Sequence, residues 1–284
     1  MKRFISILLA LSLLCVSFGC FAIRAFHQYE NADRYQVGAF TYEASKVYTV
    51  VVDWAAGDVT VRHGSGTLSV SESGGETLSV SERLHWWLDG TTLRIRYCES
   101  GFSHIIASKD KHLTLELPEN IDLKINIASG KVRADVLHAA SLEIDTASGG
   151  VEIGTLTARE AEIDTASGGV TIGSATVEKE FNVDSASGGL TVDRISAQTI
   201  QIDTASGGTT LGLDKVTTVN IDAASGRTRL KLFDTEAGAT VRLAKLSGDF
   251  DCALPMTAQG KTYQIGNGAI QIHIDTASGG VTIE

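Results

Sequence analysis

Aspartate returns at one place in a repeated phrase. Asp145, Asp164, Asp184, Asp203 and Asp222 lie 19 or 20 residues apart, each in a copy of Ile/Val-Asp-x-Ala-Ser-Gly. Asp53 and Asp275 hold equivalent places near the two ends. A row of carboxylates admits two chemistries. Stacked about 5 Å apart, they form a ladder able to hold cations, since Ca²⁺ takes several carboxylate and carbonyl oxygens. Alternatively, each Asp faces solvent and accepts hydrogen bonds from N–H and hydroxyl groups of its own turn. Without bridging or screening, like charges this close raise each other's pKa. The glycine-rich nonapeptide of calcium-binding β-rolls does not occur.

Other chemistry finds little support. The seven histidines show no ligand spacing with one another or with cysteine. There is no Gly-x-Ser-x-Gly elbow, and no lysine follows the Ala-Ser-Gly-Gly phrases as a phosphate loop would require. Polysaccharide-cleaving β-helix enzymes gather carboxylates with Lys or Arg in a groove built by long loops. Here Lys131, Arg133, Arg159, Lys179 and Arg194 are scattered and the repeats keep their length. No catalytic residue and no cofactor are expected. Trp86 and Trp87, in Leu-His-Trp-Trp-Leu-Asp-Gly, are candidate contact residues: adjacent in a strand they face opposite ways, and aromatic side chains suit sugar and protein contacts. The alternative is that they fill and cover the broad early core.

The elements that position these residues follow from the repeat. Ser-Gly recurs at Ser129, Ser148, Ser167, Ser187, Ser206 and Ser225. On both sides apolar residues alternate with polar ones: Leu142 and Ile144 before the glycines, Val151 and Ile153 after them. Period two on either side of a turn reads as two half-buried strands. No helical periodicity or leucine-rich signature competes. The expected fold is all-β, a single-stranded β-solenoid of 19–20 residues per lap, about 12 laps and about 55 Å long. Gly149-Gly150, Gly168-Gly169, Gly188-Gly189 and Gly207-Gly208 would turn the corner, since glycine reaches positive φ freely. Ser and Thr hydroxyls would satisfy corner donors. Strands of looser spacing are expected at Thr-Leu-Ser-Val-Ser-Glu-Ser, Glu-Thr-Leu-Ser-Val-Ser-Glu, Thr-Thr-Leu-Arg-Ile-Arg-Tyr and His-Leu-Thr-Leu-Glu-Leu-Pro.

The chain divides into an apolar helical segment at 1–23, a stalk or cap at 24–45, and the solenoid at 46–284, most regular over 125–232. Lys2 and Arg3 precede the uncharged run Phe4 to Ile23, which is long enough to span a bilayer. Three fates compete: an uncleaved anchor, a cleaved signal, or a lipoprotein acylated at Cys20. Each places the remainder outside the cytoplasmic membrane, at the bacterial cell surface, with membrane contact through this segment. There Cys98 and Cys252 either pair or stay as free thiols. The formal charge of −10 without a basic stripe excludes nucleic acid as a partner.

Val-Val-Asp-Trp-Ala-Ala-Gly-Asp-Val-Thr-Val from Val51, Leu-Glu-Leu-Pro-Glu-Asn from Leu115, the repeated Ile-Asp-Thr-Ala-Ser-Gly-Gly-Val and the final Ile-His-Ile-Asp-Thr-Ala-Ser-Gly-Gly-Val-Thr-Ile resemble the DUF4097 family over residues 47–284. The resemblance implies a β-helix-like fold on the bacterial surface and a non-catalytic adhesin, and it carries over no catalytic residue. The function expected is a binding module for an unknown protein or glycan. The alternatives are a structural or envelope-sensing module acting through a membrane-protein partner, and a polysaccharide-active enzyme.

Overall fold

In the computed structural model, the described residues are 28–64, 66–74, 77–101 and 111–284. The apolar segment 1–23, with Cys20, lies outside them. Alternation sets the strands. In Leu190–Ser206, the buried positions are Leu190, Val192, Ile195, Ala197, Ile200, Ile202 and Thr204, with polar side chains between. No α-helix occurs among the described residues.

Two parallel ladders run through the protein. After each Ser-Gly corner the chain joins the first, where Val132 pairs with Val151, Val151 with Val170, Val170 with Leu190, Leu190 with Thr209 and Thr209 with Thr228. Before the next corner it joins the second, where Ile144 pairs with Ile163, Ile163 with Val183, Val183 with Ile202 and Ile202 with Ile221. A repeat therefore pairs with its neighbours and buries its apolar side chains against their counterparts, in a narrow core of Val, Ile and Leu.

Chain order fails at both ends. Ile221 pairs with Ile274 of the C-terminal strand Ile270–Ser278, and Ile274 pairs on its far side with Leu243 of Ala239–Ser247. The last repeat is thus inserted beneath a strand that precedes it. At the other end Val52 of Thr49–Ala56 lies between Ile125 and Ile95. Antiparallel strands close both ends: His85–Asp89 on Thr92–Arg96, Thr67–Gly74 on Lys111–Leu117, and Thr262–Ile265 on Ala239–Ser247. Such covers remove open strand edges, which would template aggregation. Gln36–Val37 and Phe40–Glu43 add a further antiparallel layer at the N-terminal end.

The corner glycines succeed one another as Gly57, Gly130, Gly149, Gly168, Gly188, Gly207, Gly226, Gly279 and Gly248. With the further parallel layer of Thr92–Arg96 and Lys111–Leu117 beyond Gly57, they make ten layers among the described residues in place of the expected twelve laps, which at about 4.8 Å each extend about 45 Å. The difference is chain consumed by the end covers.

The reason for glycine also changes. Of the first glycines in the four paired corners, only Gly207 has φ in the positive range, at 153°. What excludes a side chain is the neighbouring corner: a Cβ on Gly149, Gly168, Gly188 or Gly207 would overlap the carbonyl oxygen of the corner before it. The second glycines have more room. A Cβ on Gly169, Gly189 or Gly208 would meet nothing closer than 3.6 Å, and Gly150 meets one oxygen at 3.3 Å. Lys131 and Arg227 fill that place in other corners.

Hydroxyls act as donors at the corners instead of accepting from corner N–H groups. Thr146 donates to the Gly149 carbonyl at 3.3 Å, Thr165 to Gly168 at 3.4 Å and Ser185 to Gly188 at 3.4 Å. Of the expected strand Glu-Thr-Leu-Ser-Val-Ser-Glu, the described residues Thr77 to Glu82 form none. Ser79 and Glu82 make a capping box around the short 3₁₀ turn Val80–Glu82.

Candidate functional site

Register places the aspartates in one column. Asp145 pairs with Asp164, Asp164 with Asp184, Asp184 with Asp203, Asp203 with Asp222, and Asp222 with Asp275. Asn126 precedes Asp145, Asp53 precedes Asn126, and Arg96 precedes Asp53. At that end charge is neutralised: Arg96 pairs with Asp53, and Asn126 Nδ2 donates to Asp53 at 2.7 Å.

The middle of the column is not neutralised. Asp145, Asp164 and Asp184 are half-buried. Burial first, and neighbouring carboxylates second, raise Asp164 to about 7 and Asp145 and Asp184 to about 6. For Asp164 the neighbours are Asp184 and Asp145. One carboxylate oxygen of Asp164 and one of Asp184 are buried without a hydrogen-bond partner. These two therefore do not have the fully solvated, corner-bonded setting expected of them. Nor is the column a cage. It is a line with two carboxylates near any point, and among the described residues no group of three or more His, Cys, Asp or Glu is placed to hold a metal ion.

Toward the C-terminal cap the column enters a cleft of about 550 Å³. Asp203, Asp222 and Asp275 lie along one part of it, with Gln201, Asn220 and His273 beside them on the same three strands. Arg242, opposite His273 on the next strand, and Lys261 of the covering hairpin line the other part. The hairpin itself, residues 256–265, is held by antiparallel pairing of Thr240 with Gln264 and Arg242 with Thr262. The cleft thus has a carboxylate wall and a cationic wall.

The tryptophans separate as adjacent strand residues do. Trp86 is 8% exposed and stacks on Phe40 with centroids 3.8 Å apart. It is core, which removes it as a contact residue. Trp87 is half-buried on the other face, 5.7 Å from the Tyr35 ring and under the Arg34 guanidinium at 5.4 Å. Cys98 and Cys252 are free thiols, and burial pushes Cys98 up to about 11.

Two features had no signal in the sequence. Lys111 is 1% exposed, with its ammonium 2.9 Å from Glu72 and bonded to the carbonyls of Glu82 and Tyr97, between the rings of Tyr97 and Trp54. Burial lowers its pKa and Glu72 opposes that shift. His63 and His138, 75 residues apart, form a tilted ring pair with centroids 5.0 Å apart, and the His138 backbone N–H donates to His63 Nε2 at 2.7 Å.

The profile of the family described as Toastrack DUF4097 matches residues 47–284. Among solved structures, a candidate adhesin from Bacteroides fragilis is similar at TM-score 0.51 and 12% identity, covering 88% of this chain and 97% of that one. A candidate adhesin from Parabacteroides distasonis follows at TM-score 0.46 and 11% identity, covering 88% and 97%. The comparison with curated proteins returned no match. At 12% identity the similarity to the Bacteroides fragilis structure establishes a shared all-β fold.

Proposed function

This chain belongs to the DUF4097 Toastrack family, and from that premise we propose that it is a non-catalytic binding module on the extracytoplasmic side of a bacterial membrane. In this reading residues 46–284 are a single-stranded β-solenoid, 24–45 its N-terminal cap, and 1–23 the segment that exports and tethers it. The parallel in-register pairing of successive repeats supports the solenoid. The description of the Bacteroides fragilis protein as a candidate adhesin fits the same role.

The observation that carries the reading is the cleft at the end of the aspartate column. There polar side chains of both signs converge beside a space large enough for a small ligand. The test is binding of the full chain, held in detergent micelles, to peptide and glycan arrays. Ligands are expected whose capture is lost in an Arg242→Ala/Asp275→Asn variant and kept in Thr171→Ala. No cleft-dependent ligand on either array overturns the reading.

The N-terminal cap favours a second reading, a module acting on a membrane-protein partner. Trp87, Tyr35 and Arg34 form a partly exposed aromatic and cationic cluster at the end nearest the tether. A photo-crosslinker placed at Trp87 would then capture a membrane protein in cells. Recovery of none would sink this alternative.

A further inference from the structure

The chain enters the described fold at an aromatic cluster. Tyr29 is pinned there: its backbone N–H donates to Ser100 Oγ at 3.1 Å, and its hydroxyl donates to the Cys98 carbonyl at 3.0 Å. Its ring lies 4.6 Å from that of Tyr35, which lies 5.7 Å from that of Trp87. Two guanidinium groups brace these rings. Arg34 covers Trp87 at 5.4 Å, and Arg96, itself paired with Asp53, lies 5.1 Å from the centre of the Tyr29 ring.

Register places the cluster on a solvent face. His85 pairs with Arg96 and Trp87 with Arg94, so Trp87 shares the outward face that carries the aspartate column. Val37, opposite His85, is 41% exposed on that face, and Arg34 is exposed as well. Trp86 points the other way, into the core.

The length of chain before the cluster says what covers it. Ile23, the last residue of the apolar run, precedes Tyr29 by six positions. Six fully extended residues reach about 20 Å. The headgroup layer of a bilayer takes about 5–7 Å of that reach. With 1–23 as the tether, the cluster therefore stands close to the lipid surface. Its residue types suit that place: Trp and Tyr carry an apolar body and a polar tip, and Arg bonds phosphate. Glu30 and Asp33 flank Arg34 in sequence, so net charge does not draw this end to lipid and ring insertion must hold it. Asp145, Asp164 and Asp184 further along the same face gain nothing from lipid phosphates, which confines contact to the N-terminal end.

Resting on the reading of 1–23 as a tether, and not on the cleft, we propose that the N-terminal cap docks on the phospholipid surface itself. Trp87 and Tyr35 sit at the membrane–water interface and Arg34 meets lipid phosphates. The docked cap turns the opposite end of the stack, with the cleft, away from the bilayer.

The test uses the full chain reconstituted in vesicles of phosphatidylcholine alone, with bromine on the acyl chains just below the headgroups as the quencher. The apolar run contains no tryptophan. Trp54 and Trp86 are 0% and 8% exposed, so quenching reports Trp87. Emission of the wild-type chain is expected to fall by about a third, one tryptophan of three, relative to unbrominated lipid. Trp87→Phe should abolish the quenching. A chain that floats with the vesicles yet is not quenched, or is quenched equally as Trp87→Phe, overturns the docking and leaves the tether intact. If such a chain also crosslinks through position 87 to a membrane protein in cells, a protein partner replaces lipid on this face. A chain that does not float with the vesicles removes tether and docking together.

Discussion

Asp164 and Asp184 lie opposite each other on adjacent parallel strands, each with one carboxylate oxygen buried and unpartnered. Their folded-state pKa values, about 7 and about 6, exceed the ordinary 3.8 because burial and like charge disfavour the ionised form. Between the ordinary and the raised values the folded chain holds more protons than the unfolded chain. Stability therefore falls as pH rises through that interval. The benefit is fully present below about pH 4 and lost as pH passes 6 to 7. The thermal midpoint by circular dichroism should be higher at about pH 5 than at about pH 8. Asp164→Asn should raise the midpoint at the higher pH and flatten the profile, as Asn126 already occupies this column. An unchanged slope in Asp164→Asn would contradict the account.

The two glycines of one corner make opposite predictions. A methyl on Gly168 would overlap the backbone carbonyl of Gly149, which is held by its own repeat and cannot yield locally. Gly168→Ala should cost about 4 kcal/mol or more. A methyl on Gly169 comes no nearer than 3.7 Å to the Gly189 oxygen, and φ there is outside the left-handed range. Gly169→Ala should change stability by less than about 1 kcal/mol. Urea denaturation of both variants checks the pair, and equal effects would refute a steric origin.

Lys111 and Glu72 offer a third test, at the N-terminal cap. The ion pair joins the antiparallel strands Thr67–Gly74 and Lys111–Leu117, and Glu72 also accepts the Leu84 N–H at 2.8 Å. Removing one partner of a buried pair leaves the other charge uncompensated. Lys111→Met should therefore cost about 3–5 kcal/mol. Adding Glu72→Gln removes the stranded charge and keeps an acceptor for Leu84. The double variant should recover part of the loss, as a double-mutant cycle would show. A double variant less stable than Lys111→Met alone would rule out charge as the cause.

These cases show what the sequence could reveal. Ladder, register and corner were legible because each repeat restates the same alternation, and an in-register stack requires equivalent residues to meet. The aspartate column follows directly: if Ile144 meets Ile163, Asp145 meets Asp164. The role of the first glycine was legible only as a turn, since the excluding atom belongs to a different repeat. The burial of Lys111 was invisible. It sits in a polar run, Ser108-Lys109-Asp110-Lys111-His112, and its carboxylate partner lies 39 residues upstream. The cationic wall of the cleft was hidden for the same reason, because residues 233–269 break the period and fold back over earlier strands.

The inserted C-terminal repeat yields the last prediction. Ile274 is buried between Ile221 and Leu243, so the strand Ile270–Ser278 supplies both the floor for Ala239–Ser247 and the cover for Thr209–Ser225. A charge at Ile274 would have no partner in the apolar core, so Ile274→Asp should detach this strand. Coupling in a stack runs mainly between neighbours. Hydrogen exchange should therefore accelerate over 209–284, including Ala239–Ser247, which has no other parallel neighbour among the described residues. Amides of Val151–Ala158 and Glu160–Thr165, several repeats away, should keep their protection. The cleft should fail in the same variant, because Asp275, His273 and Arg242 depend on that strand for their positions. If the last repeat merely ended the stack, Ala239–Ser247 would exchange no faster in Ile274→Asp than in the wild-type chain.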